Sequence, residues 1–120
     1  MTNGRWEVFT DCGREHTGLD VVEWVDKAIL LGAGEVLLTS VDNEGTRKGF
    51  DVGLYSEVNK VADVPIIASG GMGRLEDLNE VVENGNVNAV AIADALHYNR
   101  QTFGNIREYT KNLGLMVRDV

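Results

Sequence analysis

Three short, almost entirely apolar segments recur along the chain at a nearly constant interval. They cover residues 35–41, 64–69 and 88–93, so that their first residues lie 29 and 24 positions apart. Continuous apolar runs without alternation are typical of strands that are buried on both faces of a parallel sheet. Each run is followed by an amphipathic segment, and strands that alternate with helices at this spacing form βαβ units. The pattern therefore predicts an α/β fold.

Helix start signals lie between and around these strands. Thr17, with Asp20 at the capping-box position, predicts the start of a first helix, while Asp51 and Thr102 predict the caps of later helices. Each predicted helix carries apolar residues at helical spacing, which would face a common core. These residues are Val21, Val22, Val25, Ala28 and Ile29; Leu54, Tyr55, Val58, Val61 and Ala62; Leu75, Leu78, Val81 and Val82; and Ile106, Tyr109 and Leu113.

The N-terminal segment does not follow this repeat. Residues 6–10 (WEVFT) alternate along the chain and precede Asp11, Cys12 and Gly13. This pattern predicts an exposed strand, which we interpret as one half of a hairpin. Its partner is not evident in the sequence, because only five residues come before it.

One of the strands runs directly into a glycine-rich turn. Residues 65–73 (PIIASGGMG) pass from a buried strand through the turn to a helix that begins near Leu75. Glycines let backbone N–H groups approach an anion, and a helix N-terminus favours negative charge. The turn has neither the Lys-Ser/Thr ending of a P-loop nor a complete GxGxxG motif. By itself it is about equally compatible with a phosphate site and with a purely structural role.

Composition narrows the classes of partner. The 120-residue chain has a net charge of −8 and a pI of about 4.6, which disfavours nucleic acid and anionic membranes. The single Cys12 excludes an internal disulfide and fits a reducing compartment. Without a signal-peptide core or a long apolar segment, the sequence predicts a single-domain cytoplasmic protein. His16, expected at the surface, and His97, expected to pack on a helix, lack metal-ligand spacing, so neither a metal nor a cofactor is predicted.

Five segments, taken in order, form a pattern that is specific to one protein family. They are residues 32–46 (GAGEVLLTSVDNEGT), 48–51 (KGFD), 65–71 (PIIASGG), 89–93 (AVAIA) and 96–98 (LHY). Together they strongly resemble the C-terminal half of the cyclase subunit of imidazole glycerol phosphate synthase, a (βα)8 barrel of histidine biosynthesis. The resemblance runs from about residue 5 to residue 118. It implies half of a TIM (βα)8 barrel, with about three βα units and an N-terminal hairpin strand, as one domain over residues 1–120.

The resemblance also implies a chemical role. The intact cyclase takes ammonia from a glutaminase subunit and closes the imidazole ring of a bisphosphorylated ribulosyl substrate, and each half of its barrel is expected to hold one substrate phosphate. Active sites of such barrels lie at the carboxyl ends of the strands. By this resemblance Asp42 and Glu44 are supporting carboxylates that face the substrate, and Glu35 lies at the gate for ammonia. The phosphate-binding positions carried over are Gly45, Thr46, Ser69, Gly70, Gly71, Ala93 and Asp94.

Two positions depart from the family's pattern, and two catalytic groups have no counterpart. Glu44 stands where the family usually has Asp, which keeps the carboxylate. Asp94 stands where the family usually has Ser, and a carboxylate repels phosphate unless it points away or caps the next helix. The family's catalytic aspartates lie near the ends of its first and fifth strands, neither of which this chain matches. Because ring closure needs both groups, we expect the chain to be inactive alone.

Other interpretations remain open from the sequence. The chain is alternatively a stand-alone, self-associating phosphate-binding half-barrel without catalysis, or a fragment of the sister phosphoribosyl isomerase of the same pathway. The loop at residues 40–46 favours the cyclase. A half-barrel leaves open sheet edges and an apolar inner face, so a homo-oligomer is expected. The acidic residues Glu76, Asp77 and Glu80 are expected on the outer face of their helix.

Overall fold

The structure, a computed structural model, describes residues 4–118. Within this range a β-hairpin precedes an alternating series of helices and parallel strands. The elements in chain order are β1 (Glu7–Thr10), β2 (Glu15–Asp20), α1 (Val21–Leu30), β3 (Val36–Thr39), α2 (Val52–Val58), β4 (Ile66–Ser69), α3 (Glu76–Glu83), β5 (Ala89–Ala91), α4 (Asp94–His97) and α5 (Phe103–Asn112). This order confirms the predicted mixed α/β class.

Strands β3, β4 and β5 form a parallel sheet with β4 in the centre. Val36 of β3 is paired with Ile66 of β4, and Ile67 of β4 is paired with Ala89 of β5. Since each connection between neighbouring strands contains a helix, the sheet consists of two successive βαβ units. The strands are shorter than the predicted apolar segments, because the flanking residues of those segments lie in loops.

The hydrophobic core lies on one face of this sheet, where the helices pack. Its fully buried large side chains are Tyr55, Ile66, Leu78, Val58 and Val81. In the central strand both Ile66 and Ala68 are buried, whereas Leu37 in β3 is 61 % exposed. The prediction of burial on both faces is therefore wrong within the part of the chain that the structure describes. On the opposite face Leu37 is exposed, and its neighbour Ile67 in the central strand is partly exposed.

Strands β1 and β2 form an antiparallel hairpin. The rings of Phe9 and His16 pack at a tilt of 52°, with their centroids 4.6 Å apart. The Thr17 hydroxyl donates to the carbonyl of Val8 at 2.6 Å. The strand predicted at residues 6–10 is confirmed, but its partner follows it instead of being absent. Residues 15–20 (EHTGLD) contain few residues with high β-propensity, so the sequence pattern did not indicate a strand.

Helix α1 begins after Asp20, and the predicted cap at Thr17 is wrong because Thr17 lies within β2. The Asp20 carboxylate accepts hydrogen bonds from the backbone N–H groups of the second and third helical residues, at 2.9 and 3.2 Å. A short acidic side chain is an effective N-cap, since it satisfies N–H groups that have no partner within the helix. Asp51 and Thr102 cap α2 and α5 as predicted.

Three predictions about side-chain exposure are wrong. Val61 and Leu113, predicted to face the core, are each 38 % exposed. Both lie beyond the last residue of their helices, so helical spacing no longer directs them inward. His97, predicted to pack against a helix, is exposed. Its ring centroid lies 4.8 Å from that of Tyr98, and the two rings are nearly perpendicular. His16 is exposed, as predicted.

Within residues 4–118, no helix is both long enough and apolar enough to span a membrane.

Candidate functional site

A cavity of about 140 Å³ lies where the three parallel strands end. Parallel strands present their carboxyl ends at the same edge of a sheet, and the loops that follow them form the walls of the cavity. Six of the seven residues predicted to bind phosphate line it: Gly45, Ser69, Gly70, Gly71, Ala93 and Asp94. The structure therefore brings together residues from three loops that are far apart in the sequence.

The glycine turn after β4 docks directly against the loop after β3. Gly71 has a φ of 103°, and a Cβ atom built on it would lie 2.1 Å from the carbonyl oxygen of Gly49. The backbone N–H of Gly49 donates to the carbonyl of Gly71 at 2.9 Å. Likewise, a Cβ atom on Gly73 would lie 2.2 Å from the carbonyl oxygen of Arg47. Glycine is needed at positions 71 and 73 because two backbones touch there.

The side chain of Tyr55 hydrogen-bonds the backbone at the start of this turn. Its buried hydroxyl accepts a hydrogen bond from the backbone N–H of Ser69 at 3.1 Å and lies 3.0 Å from the carbonyl oxygen of Leu38 and 2.9 Å from that of Ser69. Burial raises the pKa of the Tyr55 hydroxyl from 10.0 to about 12, although the hydrogen bond with the Ser69 backbone opposes this shift. The sequence placed Tyr55 in the core but gave no sign of its contact with the turn.

The backbone N–H groups of the turn fall into two sets. Those of Gly73 and Arg74 both donate to the Asp77 carboxylate at 2.8 Å. Asp77 is only 4 % exposed, so its prediction on the outer face of the helix is wrong, whereas Glu76 and Glu80 are exposed as predicted. The N–H groups of Gly70, Gly71 and Met72 donate to no acceptor within residues 4–118. They are the turn's free donors, whereas Asp77 holds the two residues that follow them, just before α3.

The loop after β3 is held by side chains that the sequence did not single out. The Asn43 amide donates to the carbonyl of Gly49 at 2.9 Å, and the Ser40 hydroxyl lies 3.3 Å from the Asn43 side-chain oxygen. The Thr46 hydroxyl donates to the carbonyl of Asn43 at 2.8 Å, and Thr46 does not line the cavity. The Thr46 hydroxyl stabilises the loop in this structure, and its predicted contact with phosphate stays a prediction.

Asp94 is surrounded by positive charge. Its carboxylate lies 3.4 Å from Nε of Arg47 and forms a close ion pair with Arg100. Nη2 of Arg100 also donates to the backbone carbonyl of Asp94 at 3.2 Å. Desolvation, followed by the proximity of Arg47, lowers the pKa of Arg100. Neither arginine was predicted from the sequence, although an acidic residue at a predicted anion site implies a nearby cation.

The predicted carboxylates do not form one cluster. Glu44 lines the cavity, and Glu44 and Asp42 both line a larger groove of about 790 Å³ between the hairpin, α1 and the edge of β3. Glu35 is exposed and directly precedes β3, so it lies at the end of the sheet opposite the cavity. No group of three or more His, Cys, Asp or Glu side chains suitable for a metal ion occurs within residues 4–118.

Repeated βαβ units, with their loops gathered at the carboxyl ends of the parallel strands, define a mixed α/β protein that is consistent with part of a (βα)8 barrel. The family model of histidine biosynthesis proteins matches residues 1–102, and the chain belongs to this family. The match includes the cavity, Arg47 and Arg100, and it ends before helix α5.

Proposed function

We propose that the chain is the C-terminal half of an imidazole glycerol phosphate synthase cyclase-type barrel and supplies one of the two phosphate sites for a bisphosphorylated ribulosyl substrate. The observation that carries this proposal is the pair of free N–H groups at Gly70 and Gly71, in residues that line a cavity at the carboxyl ends of parallel strands. Backbone N–H groups of this kind bind phosphate without any need for a basic side chain.

The loop after β3 supports the cyclase over the sister isomerase. Ser40, Asp42 and Glu44, followed by Gly45 and Thr46, keep the pattern by which the chain resembles the cyclase. Glu44 lines the cavity, as a carboxylate that faces the substrate should. The position of Glu35 at the far end of the sheet is compatible with an ammonia gate on the side of a glutaminase subunit.

Catalysis requires more than this chain supplies under the proposal. Ring closure needs a general acid and a general base, which the resemblance assigns to strands that the chain does not match. The purified chain alone should therefore show no ammonia-dependent ring closure. Activity should appear when it is mixed with a chain that carries the other half of a cyclase barrel, and changing Glu44 to Gln should reduce it. Isomerase activity in the mixture would favour the sister enzyme instead.

Phosphate binding is tested most directly by titrating the isotopically labelled chain with inorganic phosphate and following the amide resonances of Gly70 and Gly71. These resonances should shift with a dissociation constant in the millimolar range, since a single anion makes few contacts. Ala93→Glu places a carboxylate at the wall of the cavity and should abolish the shifts. Ala89→Glu is the matched control, because both alanines are exposed, Ala89 as the first residue of β5 and Ala93 just after this strand, but Ala89 does not line the cavity.

The two variants make the result interpretable. Loss of binding in Ala93→Glu together with retention in Ala89→Glu places the anion in the cavity. If phosphate leaves the Gly70 and Gly71 resonances of the unmodified chain unchanged up to high concentration, the proposed function is wrong.

A further inference from the structure

Three charged side chains form a cluster beside the cavity: Arg47, Asp94 and Arg100, which we call the arginine–aspartate cluster. Arg47 and Asp94 line the cavity, and Arg100 lies behind Asp94. We propose that Arg47 is the cationic ligand of the bound phosphate, and that Asp94, neutralised by Arg100, is the positioning residue that holds Arg47 in place. The inference rests on the proposed function and adds a side-chain ligand to a site otherwise made of backbone.

The charge of the cluster favours an anion. A lone carboxylate beside phosphate would repel it, and more strongly where solvent is excluded. Here, however, the carboxylate of Asp94 contacts two guanidinium groups, so the three side chains together carry one net positive charge, which offsets the carboxylate of Glu44 at the same cavity. The cluster therefore removes the repulsion that Asp94 alone would exert on an anion.

Arg47 has donors left over for a ligand. A guanidinium has five N–H groups, and only Nε of Arg47 is directed at Asp94. The Nη groups have no hydrogen-bond acceptor among the residues that the structure describes, and the side chain is 52 % exposed. Two Nη donors in a planar fork match two oxygens of a phosphate group, which a lysine cannot do.

The position of Arg47 is fixed at both its backbone and its side chain. Its φ of 60° is an unusual value for a residue other than glycine, and its carbonyl oxygen packs directly against Gly73. Its guanidinium lies 6.0 Å from the centre of the Tyr98 ring, while that of Arg100 lies 4.9 Å from the same ring. The side chain is thus held between Asp94 and an aromatic surface before any ligand binds, which reduces the entropy lost on binding.

The effect of Asp94 on phosphate binding distinguishes this inference from simple repulsion. If Asp94 only repels phosphate, its replacement by Ala will strengthen binding. If Asp94 positions Arg47, the same replacement will weaken binding, although it removes a negative charge. The probe is inorganic phosphate, and the readout is the shift of the Gly70 and Gly71 amide resonances.

Four variants and one double variant make the test. We expect Arg47→Gln to weaken binding about five-fold and Asp94→Ala to weaken it about three-fold, as for the loss of one charge-assisted contact near a surface. Lys48→Gln, which removes the same charge from the exposed next residue, and Glu76→Ala, which removes an exposed carboxylate from α3, should each change binding by less than about two-fold. In the Arg47→Gln background, Asp94→Ala should cause no further weakening.

The outcomes separate the two proposals. Stronger binding in Asp94→Ala, or unchanged binding in Arg47→Gln, overturns this inference while the phosphate site itself stands. Absence of any phosphate response in the unmodified chain overturns both. Further weakening by Asp94→Ala in the double variant would show that Asp94 acts independently of Arg47, which also contradicts the inference.

Discussion

The Tyr55 hydroxyl accepts a hydrogen bond from the backbone N–H of Ser69 at 3.1 Å, at the point where β4 ends and the glycine turn begins. The same hydroxyl lies within 3.0 Å of the carbonyl oxygen of Leu38 in the neighbouring strand. The side chain of Tyr55, a helix residue, thus contacts the backbones of both strands. The geometry of the turn therefore depends on a residue of helix α2.

Replacing Tyr55 by Phe should destabilise the protein without changing the packing of the ring. The change removes the hydroxyl's hydrogen bonds with the backbones of β3 and β4, and a typical hydrogen bond contributes about 0.5–1.5 kcal/mol. The free energy of unfolding, measured by urea denaturation, should fall by that amount. Tyr109→Phe is the control, because the Tyr109 hydroxyl makes no hydrogen bond within residues 4–118, and its effect should be much smaller.

The Tyr55 hydroxyl should also make the stability of the protein depend on pH in the alkaline range. The pKa of Tyr55 is raised from 10.0 to about 12 in the folded protein, so the unfolded chain loses this proton first as pH rises. The stabilisation is fully present below pH 10 and should be lost progressively between pH 10 and about pH 12. Denaturation midpoints at pH 9 and pH 11 should differ less in Tyr55→Phe than in the unmodified chain. Equal pH dependence of the two proteins would contradict the assignment.

The buried carboxylate of Asp77 should stabilise the start of α3. It accepts from the N–H groups of Gly73 and Arg74, both at 2.8 Å, and lies 3.8 Å from Nη2 of Arg74. Asp77→Ala should lower the free energy of unfolding by about 1.5–3 kcal/mol, as for the loss of a hydrogen bond to a charged group. Glu80→Ala, an exposed change on the same helix, should have little effect. Comparable losses in the two variants would argue against this role of Asp77.

Two glycines should respond in opposite directions to replacement by Ala. Gly71→Ala places Cβ against the carbonyl oxygen of Gly49 at a φ of 103°, so it should destabilise the protein and disturb the loop as well as the turn. Gly104 lies within α5, and the nearest atom to its Cβ would be 3.8 Å away, so Gly104→Ala should stabilise the protein by about 0.5–1 kcal/mol. Thermal melting of both variants tests the pair, and stabilisation by Gly71→Ala would contradict the observed contact.

Self-association should follow from the uncovered face of the sheet. Leu37 is 61 % exposed in edge strand β3, and exposed edges and apolar faces favour pairing with a second copy. Sedimentation equilibrium at micromolar concentration should give a mass above that of the 13.1 kDa monomer. Leu37→Asp should shift the distribution towards monomer, whereas Leu31→Asp, a change at a still more exposed residue just after α1, should not. A folded monomer in the unmodified chain would contradict this expectation.

The repeating units were predictable because their signals are local. The apolar runs around Ile66 and Val90, the caps at Asp51 and Thr102, and the glycine turn each depend on a few neighbouring residues. The partner strand of the hairpin was missed for the opposite reason. Residues 15–20 pair with β1 through backbone geometry and a Thr17 contact, and their composition alone does not indicate a strand.

Some residues of the candidate site could likewise be predicted from the sequence, and others could not. The glycines at positions 45, 70 and 71 could be found from the sequence, because the motifs around them are specific. The side chains that surround them could not. Tyr55 and Arg47 contact residues that are far from them in the sequence, and the pattern of α3 did not distinguish the buried Asp77 from its exposed neighbours. Asp94 was recognised as unusual, but only the structure reveals its two arginines.

The cavity takes its walls from three successive strand–loop segments. The loop at Gly45, the turn at Gly70 and the residues around Ala93 each contribute one wall, and the first two are joined by direct backbone contact. A single βα unit excised from this chain would therefore carry a recognisable glycine motif but no cavity. A gene duplication or transfer that kept the cavity intact would have to carry all three segments together.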